Sequence, residues 1–196
     1  PAQQLIGSLR PYILSVGTIR WRKGYHRSIP AFAKVSVQFP DLKYIIVGKR
    51  FKDDYDARLK KMIGDLKLED KIIIFDHLDN GDSLVKLYQN AELFCLMSQT
   101  ANRDLEGFGL VFLEAAAAGL PVVGTNGSGT EDAVMHGKNG FLVDPLDIDG
   151  FANAIVGILK DPNTKTHMSK VSLEFAKNST WEKRIREYAT LYKNLG

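Results

Sequence analysis

Short runs of β-branched and aromatic residues recur along this chain, and each is followed by a longer stretch whose apolar residues have helical spacing. Tyr12 to Val16 reads as a first strand, Tyr44 to Val47 as a second, Ile72 to Phe75 as a third and Leu93 to Met97 as a fourth. Pro121-Val122-Val123 opens a fifth and Phe141-Leu142-Val143 a sixth. Between them, helices are predicted over about Gly24–Phe39, Asp54–Leu68, Ser83–Gln89 and Gly109–Ala118. A strand without alternation is apolar on both faces and must be covered on both. Such strands alternating with helices predict a parallel, doubly wound α/β sheet of about six strands. The last part changes character. Ile148–Leu159, about Thr166–Ala176 and Trp181–Leu195 are helical with no strand between them. Pro162 separates the first two, and Ser179 or Thr180 offers an N-cap for the last. There is no internal repeat and no long linker, so residues 1–196 read as one domain.

The 196 residues, 44% hydrophobic and 25% charged, can bury roughly 70% of the surface of the unfolded chain and form a core unaided. Cys95 is the one cysteine, which excludes an internal disulfide and a cysteine-based metal site and favours a reducing, cytoplasmic setting. The longest apolar runs, such as Phe94–Met97 and Leu110–Leu113, fall far short of the ~20 residues of a membrane-spanning helix. The opening Pro1-Ala2-Gln3-Gln4 carries neither an initiating Met nor a secretory leader, as expected of a piece of a longer protein. Without secretion, the sequon Asn178-Ser179-Thr180 has no use.

Charge is unevenly distributed. Arg20 to Lys61 holds 12 basic and 4 acidic residues, whereas Asp104 to Asp149 holds 1 basic and 8 acidic. The pair of segments suits a ligand with an anionic part and a hydroxyl-rich part, or two solvated surfaces that never meet. Nucleic acid is a poor partner, because the basic residues lack interleaved aromatics and no known binding motif is present.

Ligands of doubly wound sheets bind at the carboxyl ends of the strands, so the loops there matter most. After the first strand, Gly17-Thr18-Ile19-Arg20-Trp21-Arg22-Lys23-Gly24 places three cations and two glycines in eight residues. Glycines permit close backbone approach, and Arg22 and Lys23 can add charge-assisted bonds to a diphosphate. A solvated basic turn would look the same. After the fourth strand, Glu106-Gly107-Phe108-Gly109-Leu110 opens a helix that carries Glu114. If helical, the step from Glu106 to Glu114 is ~12 Å. That exceeds the ~5–9.5 Å between glycosidase carboxylates. It suits instead two hydroxyl-bearing groups at opposite ends of an extended ligand, such as the ribose and sugar flanking a diphosphate. Alternatively, Glu106 serves the helix dipole and Glu114 a surface ion pair. Within the apolar stretch Leu110–Ala118, however, Glu114 needs a partner. After the fifth strand, Gly124 to Glu131 is glycine-rich, and Ser128 with Glu131 fits a capping box.

Together these motifs resemble the C-terminal, donor-binding half of a GT-B glycosyltransferase, in the large retaining group often called family 4. Glu106 and Glu114, with Gly107-Phe108-Gly109-Leu110 between them, are similar to its E-x7-E signature. Leu113 to Val123, Asn139 to Val143 and the Val16–Gly24 phosphate loop extend the resemblance over almost the whole chain. It implies a Rossmann-like sheet with extra C-terminal helices. It also implies that Glu106, the catalytic position, bonds the donor sugar's hydroxyls near the reacting carbon, and that Glu114 takes the ribose hydroxyls. Gly17, Arg22 and Lys23 would hold the diphosphate, and the amides of Gly107, Phe108, Gly109 and Leu110 would line the sugar and phosphate site. His77, in Asp76-His77-Leu78, would face the base. Many members have Arg where this chain has Thr18, so one phosphate contact is missing or comes from Arg20.

The activity implied for the full-length protein is transfer of a sugar from a nucleotide diphosphate sugar, with retention and without a metal or cofactor. Its partners would be that donor, its own N-terminal acceptor domain and a glycan or lipid-linked acceptor. The setting would be cytoplasmic, and any peripheral association with the inner face of a membrane would rest on the absent domain. By itself the donor domain would bind nucleotide and transfer little or nothing. A sugar-nucleotide epimerase, a phosphorylase and a non-catalytic nucleotide-sugar module are the competing readings. Asp147-x-Asp149 matches the metal pair of the GT-A fold, yet at a helix start it reads better as acids facing the dipole. His26, His136 and His167 each stand alone in the sequence and read as surface or core histidines rather than catalytic ones. Trp181, Ile185, Tyr188 and Leu191 read either as core packing or as the terminal helix that crosses back to the absent domain.

Overall fold

A computed structural model of the chain describes residues 9–76, 78, 81–100 and 109–195. In chain order the elements are β1 (Tyr12–Val16), α1 (Tyr25–Gln38), β2 (Lys43–Val47), α2 (Asp54–Asp65), β3 (Ile72–Phe75) and α3 (Gly81–Asn90). They continue with β4 (Phe94–Cys95), α4 (Leu110–Ala117), β5 (Val122–Thr125), β6 (Gly140–Val143), α5 (Ile148–Lys160), α6 (Pro162–Asn178) and α7 (Trp181–Leu195). Short 3-10 turns lie at Trp21–Lys23 and Gly129–Asp132. The strands form one parallel sheet in the order β3-β2-β1-β4-β5-β6. The order reverses between β1 and β4. The crevice of a doubly wound sheet opens there, beyond the carboxyl ends of those strands.

Right-handed crossovers place α1 and α2 on one face of the sheet and α3 and α4 on the other. Of the later helices, α5 packs on α1 and α6 on α4. Tyr12, Tyr25, Tyr44, Phe32, Phe94, Phe112 and Phe151 are fully buried, and each buried tyrosine hydroxyl has a partner. Tyr12 donates to the Leu87 carbonyl at 2.8 Å and Tyr25 to that of Gly17 at 2.8 Å. Tyr44 shares a hydrogen bond with Ser15 at 2.7 Å and donates to Ser28 at 2.9 Å, linking β1, β2 and α1.

Three expectations shift. The fourth strand covers only Phe94–Cys95, although Leu93 to Met97 are all buried. β4 meets β1 at a single register pair, Leu14 with Phe94, so burial outlasts the ladder. Pro162 is the first residue of α6 rather than a break before it. The Asp161 carboxylate accepts from the amides of Asn163 and Thr164, and a proline costs nothing where no intrahelical bond is needed. Trp181, Ile185, Tyr188 and Leu191 lie on the surface of α7, with Trp181 74% exposed, instead of in the core. No described helix is long and apolar enough to cross a membrane.

Candidate functional site

The strand-end loops are joined to one another by backbone contacts. Gly24 has φ 71°, and a Cβ there would lie 1.8 Å from the Met97 carbonyl oxygen, so only glycine lets the end of the β1 loop lie against the chain leaving β4. The Gln99 amide donates to the Arg22 carbonyl at 2.8 Å. Ser98 and Thr130 hydroxyls lie 3.4 Å apart, and Gly109, at the start of α4, abuts Thr130. Arg27 donates to the Gln99 side chain and, at 3.1 Å, to the Pro145 carbonyl beyond β6. The rim is therefore one connected surface, and it includes Gly17, Arg22, Lys23, Gly109 and Leu110.

Lys23 is only 7% exposed, unusual for a lysine. Its aliphatic stem crosses Gly17, whose missing side chain leaves that space: a Cβ would lie 3.2 Å from Lys23 Cε and 3.4 Å from the Tyr25 hydroxyl. Gly17 and Lys23 thus act as a unit, one vacating the volume that the other fills. Arg22, on the same 3-10 turn, is half-buried. Arg20 lies exposed with its guanidinium 4.2 Å from the centre of the Phe51 ring, on the side towards the β2 loop.

Gly109 takes the left-handed conformation, φ 70°, and forms the N-cap of α4. The helix therefore starts at Leu110, one residue later than expected, and Glu114 stands about one turn inside it. The left-handed Gly109 interrupts any continuous helix between Glu106 and Glu114, so the ~12 Å helical rise does not apply to the whole of that step. Glu106, Gly107, Phe108 and His77 lie outside the described residues. Glu114 is exposed, and its Oε2 accepts a 2.8 Å hydrogen bond from the Tyr88 hydroxyl on α3. The partner anticipated for this carboxylate is thus a buried phenol, not a surface cation. Burial and the adjacent carboxylate both push the Tyr88 phenol well above its ordinary range, so it remains a donor.

The β2 loop is braced by a two-pronged pair: Arg50 Nε to Asp56 Oδ1 at 2.6 Å and Nη2 to Oδ2 at 3.0 Å. That guanidinium holds the Asp56 carboxyl below the usual range. The Arg50 amide also donates to Asp76 at 2.6 Å, which fixes the start of the loop after β3. Beside the β1 loop the Trp21 ring stacks on His26 at 3.8 Å, and Tyr55 meets both edge-on. The Tyr55 hydroxyl accepts from the His26 amide at 3.2 Å and lies 3.0 Å from its Nδ1. Burial, aided by Arg27 and Arg58, pulls His26 down to about 4, so its ring is neutral near pH 7.

Motifs that sequence left ambiguous have plain structural uses. Ser128 caps the 3-10 turn at Gly129–Asp132, while the Glu131 carboxylate accepts from the Gly127 amide, one residue before the capping-box position. Asp147 caps α5 by accepting from the Gly150 amide at 2.7 Å, and Asp149 pairs with Lys34. The basic and acidic segments therefore do meet, at that pair. Tyr88, Tyr25 and the Trp21–His26–Tyr55 cluster were not anticipated. Only Tyr88 had any signal, as a member with Leu84 and Leu87 of an apolar helical face.

Residues 1–174 match the family model for glycosyl transferases group 1. The chain is 30% identical over 179 residues to a GDP-mannose-dependent alpha-(1-6)-phosphatidylinositol monomannoside mannosyltransferase of Mycolicibacterium smegmatis, covering 90% of this chain and 46% of that protein. Anabaena Alr3699/HepE, crystallised with UDP and glucose, superposes with a TM-score of 0.82 at 25% identity, over 97% of this chain and 50% of that one. The C-terminal domain of a group 1 glycosyl transferase, LpcC of Francisella tularensis, shares the fold at 20% identity, with a TM-score of 0.78 over 91% of this chain and 92% of its own. The chain thus spans about half the length of the curated relative and of the Anabaena protein.

Proposed function

The chain belongs to the glycosyl transferases group 1, and from that premise we propose that residues 1–196 form the donor-binding domain of an enzyme that moves a sugar from a nucleoside diphosphate sugar to an acceptor hydroxyl. The observation that carries this reading is the joined rim: a nearly buried lysine, a half-buried arginine and a helix N-terminus, with a carboxylate one helical turn further on. Lys23, Arg22 and the first amides of α4 suit the diphosphate, and Glu114 suits the ribose hydroxyls. Glu106 is assigned to the transferred sugar, on the side of the reacting carbon.

As the bond from anomeric carbon to phosphate oxygen breaks, negative charge gathers on the departing diphosphate. Fixed cations and helix-end amides stabilise it where it forms, so no metal is required. The acceptor hydroxyl attacks from the face that the diphosphate leaves and gives its proton to the departing phosphate oxygen, and the shared face gives retention. Residues that position that hydroxyl belong to a second domain, so this domain binds nucleotide and transfers little sugar by itself. The relatives differ in the nucleotide they are named or crystallised with, GDP-mannose in one and UDP in another, so all three common bases enter the test.

Calorimetric titration of the chain with UDP, GDP and ADP should give saturable binding of one of them. Absence of binding of all three at millimolar concentration would overturn the assignment. In the full-length protein, Glu106→Ala should cut turnover far more than nucleotide affinity, and chelation by EDTA should leave transfer intact. Equal losses of turnover and affinity in Glu106→Ala would remove that residue from the reacting centre.

A further inference from the structure

Resting on the assignment of Glu114 to the ribose, we infer that Tyr88 is a positioning residue of the donor site, which aims that carboxylate at the nucleoside. Four observations support this. The Tyr88 ring is held in the core, 4% exposed, while the carboxylate it bonds is exposed at the protein surface. The ring lies on Phe94 of β4, with centroids 5.9 Å apart, and Phe94 in turn meets Phe112 of α4 edge-on at 5.0 Å. The phenol and the helix that carries Glu114 are therefore seated on the same core side chain. Finally, the 2.8 Å bond ends on Oε2 alone.

The physical consequence follows from entropy and direction. An exposed glutamate samples several rotamers, and fixing one when a ligand arrives costs affinity. A buried, protonated donor selects one rotamer beforehand and saturates a lone pair of one oxygen, which presents the rest of the carboxylate to a pair of vicinal hydroxyls. A charge-assisted bond of this kind is among the stronger side-chain contacts. Because Tyr88 is buried and acts through Glu114, its effect must be specific to ligands that carry the hydroxyls.

The test is the ribose preference of the 196-residue chain, measured by titration with UDP against 2′-deoxy-UDP, GDP against 2′-deoxy-GDP and ADP against 2′-deoxy-ADP, and read from the pair that binds most tightly. Tyr88→Phe keeps the ring and its packing. It should weaken the ribonucleotide about tenfold, the equivalent of a single charged hydrogen bond, and leave the deoxynucleotide nearly unchanged. Glu114→Ala should abolish the preference, and the double variant should add nothing to it. If Glu114→Ala loses the preference while Tyr88→Phe keeps it, Tyr88 only fills the core and the inference fails alone. If Glu114→Ala also keeps it, the ribose assignment fails and takes the inference with it. Should Tyr88→Phe not fold, 3-fluorotyrosine placed at position 88, a more acidic donor of nearly the same shape, reads the same bond. An unchanged preference there overturns the inference.

Discussion

A histidine ring that is nearly buried and stacked on tryptophan couples this fold to acid. The unfolded chain takes up a proton at His26 below about pH 6.5, whereas the folded ring resists it until about 4. Stability from the neutral ring is therefore complete above pH 6.5 and falls as pH drops towards 4, by at most about 1.4 kcal/mol per pH unit. His26→Phe keeps the stack with Trp21 but cannot be protonated. Urea unfolding of this variant between pH 7 and pH 4 should show a shallower decline than the parent. Parallel curves would show that the acid sensitivity arises elsewhere. Other single-residue features were open to reading from sequence only in part. A cationic loop after a strand is visible as a string of letters. That Lys23 is nearly buried, because Gly17 vacates the volume its stem crosses, is a matter of packing.

At the level of elements, the strands were legible because their burial on both faces is written as unbroken apolar runs. The limits of β1 and β3 follow from Tyr12–Val16 and Ile72–Phe75 alone. β4 was not legible to the same degree: Leu93 to Met97 have uniform character, and only the neighbouring strands decide which residues join the ladder. The start of α4 was missed by one residue for a related reason, since a glycine permits but does not announce a left-handed cap. The terminal helix and the sheet core differ in what holds them. Trp181→Ser on α7 should change unfolding free energy by no more than about 0.5 kcal/mol, the usual size for an exposed site. Phe94→Ala, in the sheet core beneath α3 and α4, should cost about 3–5 kcal/mol. Comparable losses in urea unfolding would mean that α7 is packed against something after all.

Across the whole molecule, the sheet shields its one thiol. Cys95 is buried at the centre of the sheet, where desolvation pushes it up to about 12. At pH 8 the native chain should hold almost no reactive thiolate, so its labelling by a disulfide reagent should proceed through opening of the fold. The labelling rate should rise with urea along the unfolding curve and fall when a bound nucleotide stabilises the native state. Rapid labelling without denaturant would contradict a closed sheet.

The class of fold and the order of its elements could be read from the letters of the chain, because apolar patterning is local. Tertiary structure decided which groups meet. Tyr88 and Glu114 are 26 residues apart on different helices. Lys34 and Asp149 are 115 apart, and they join the basic segment to the acidic one. No periodicity encodes such pairs. They exist because a parallel sheet whose strand order reverses brings helices distant in sequence onto the same face and gathers the strand-end loops along one edge.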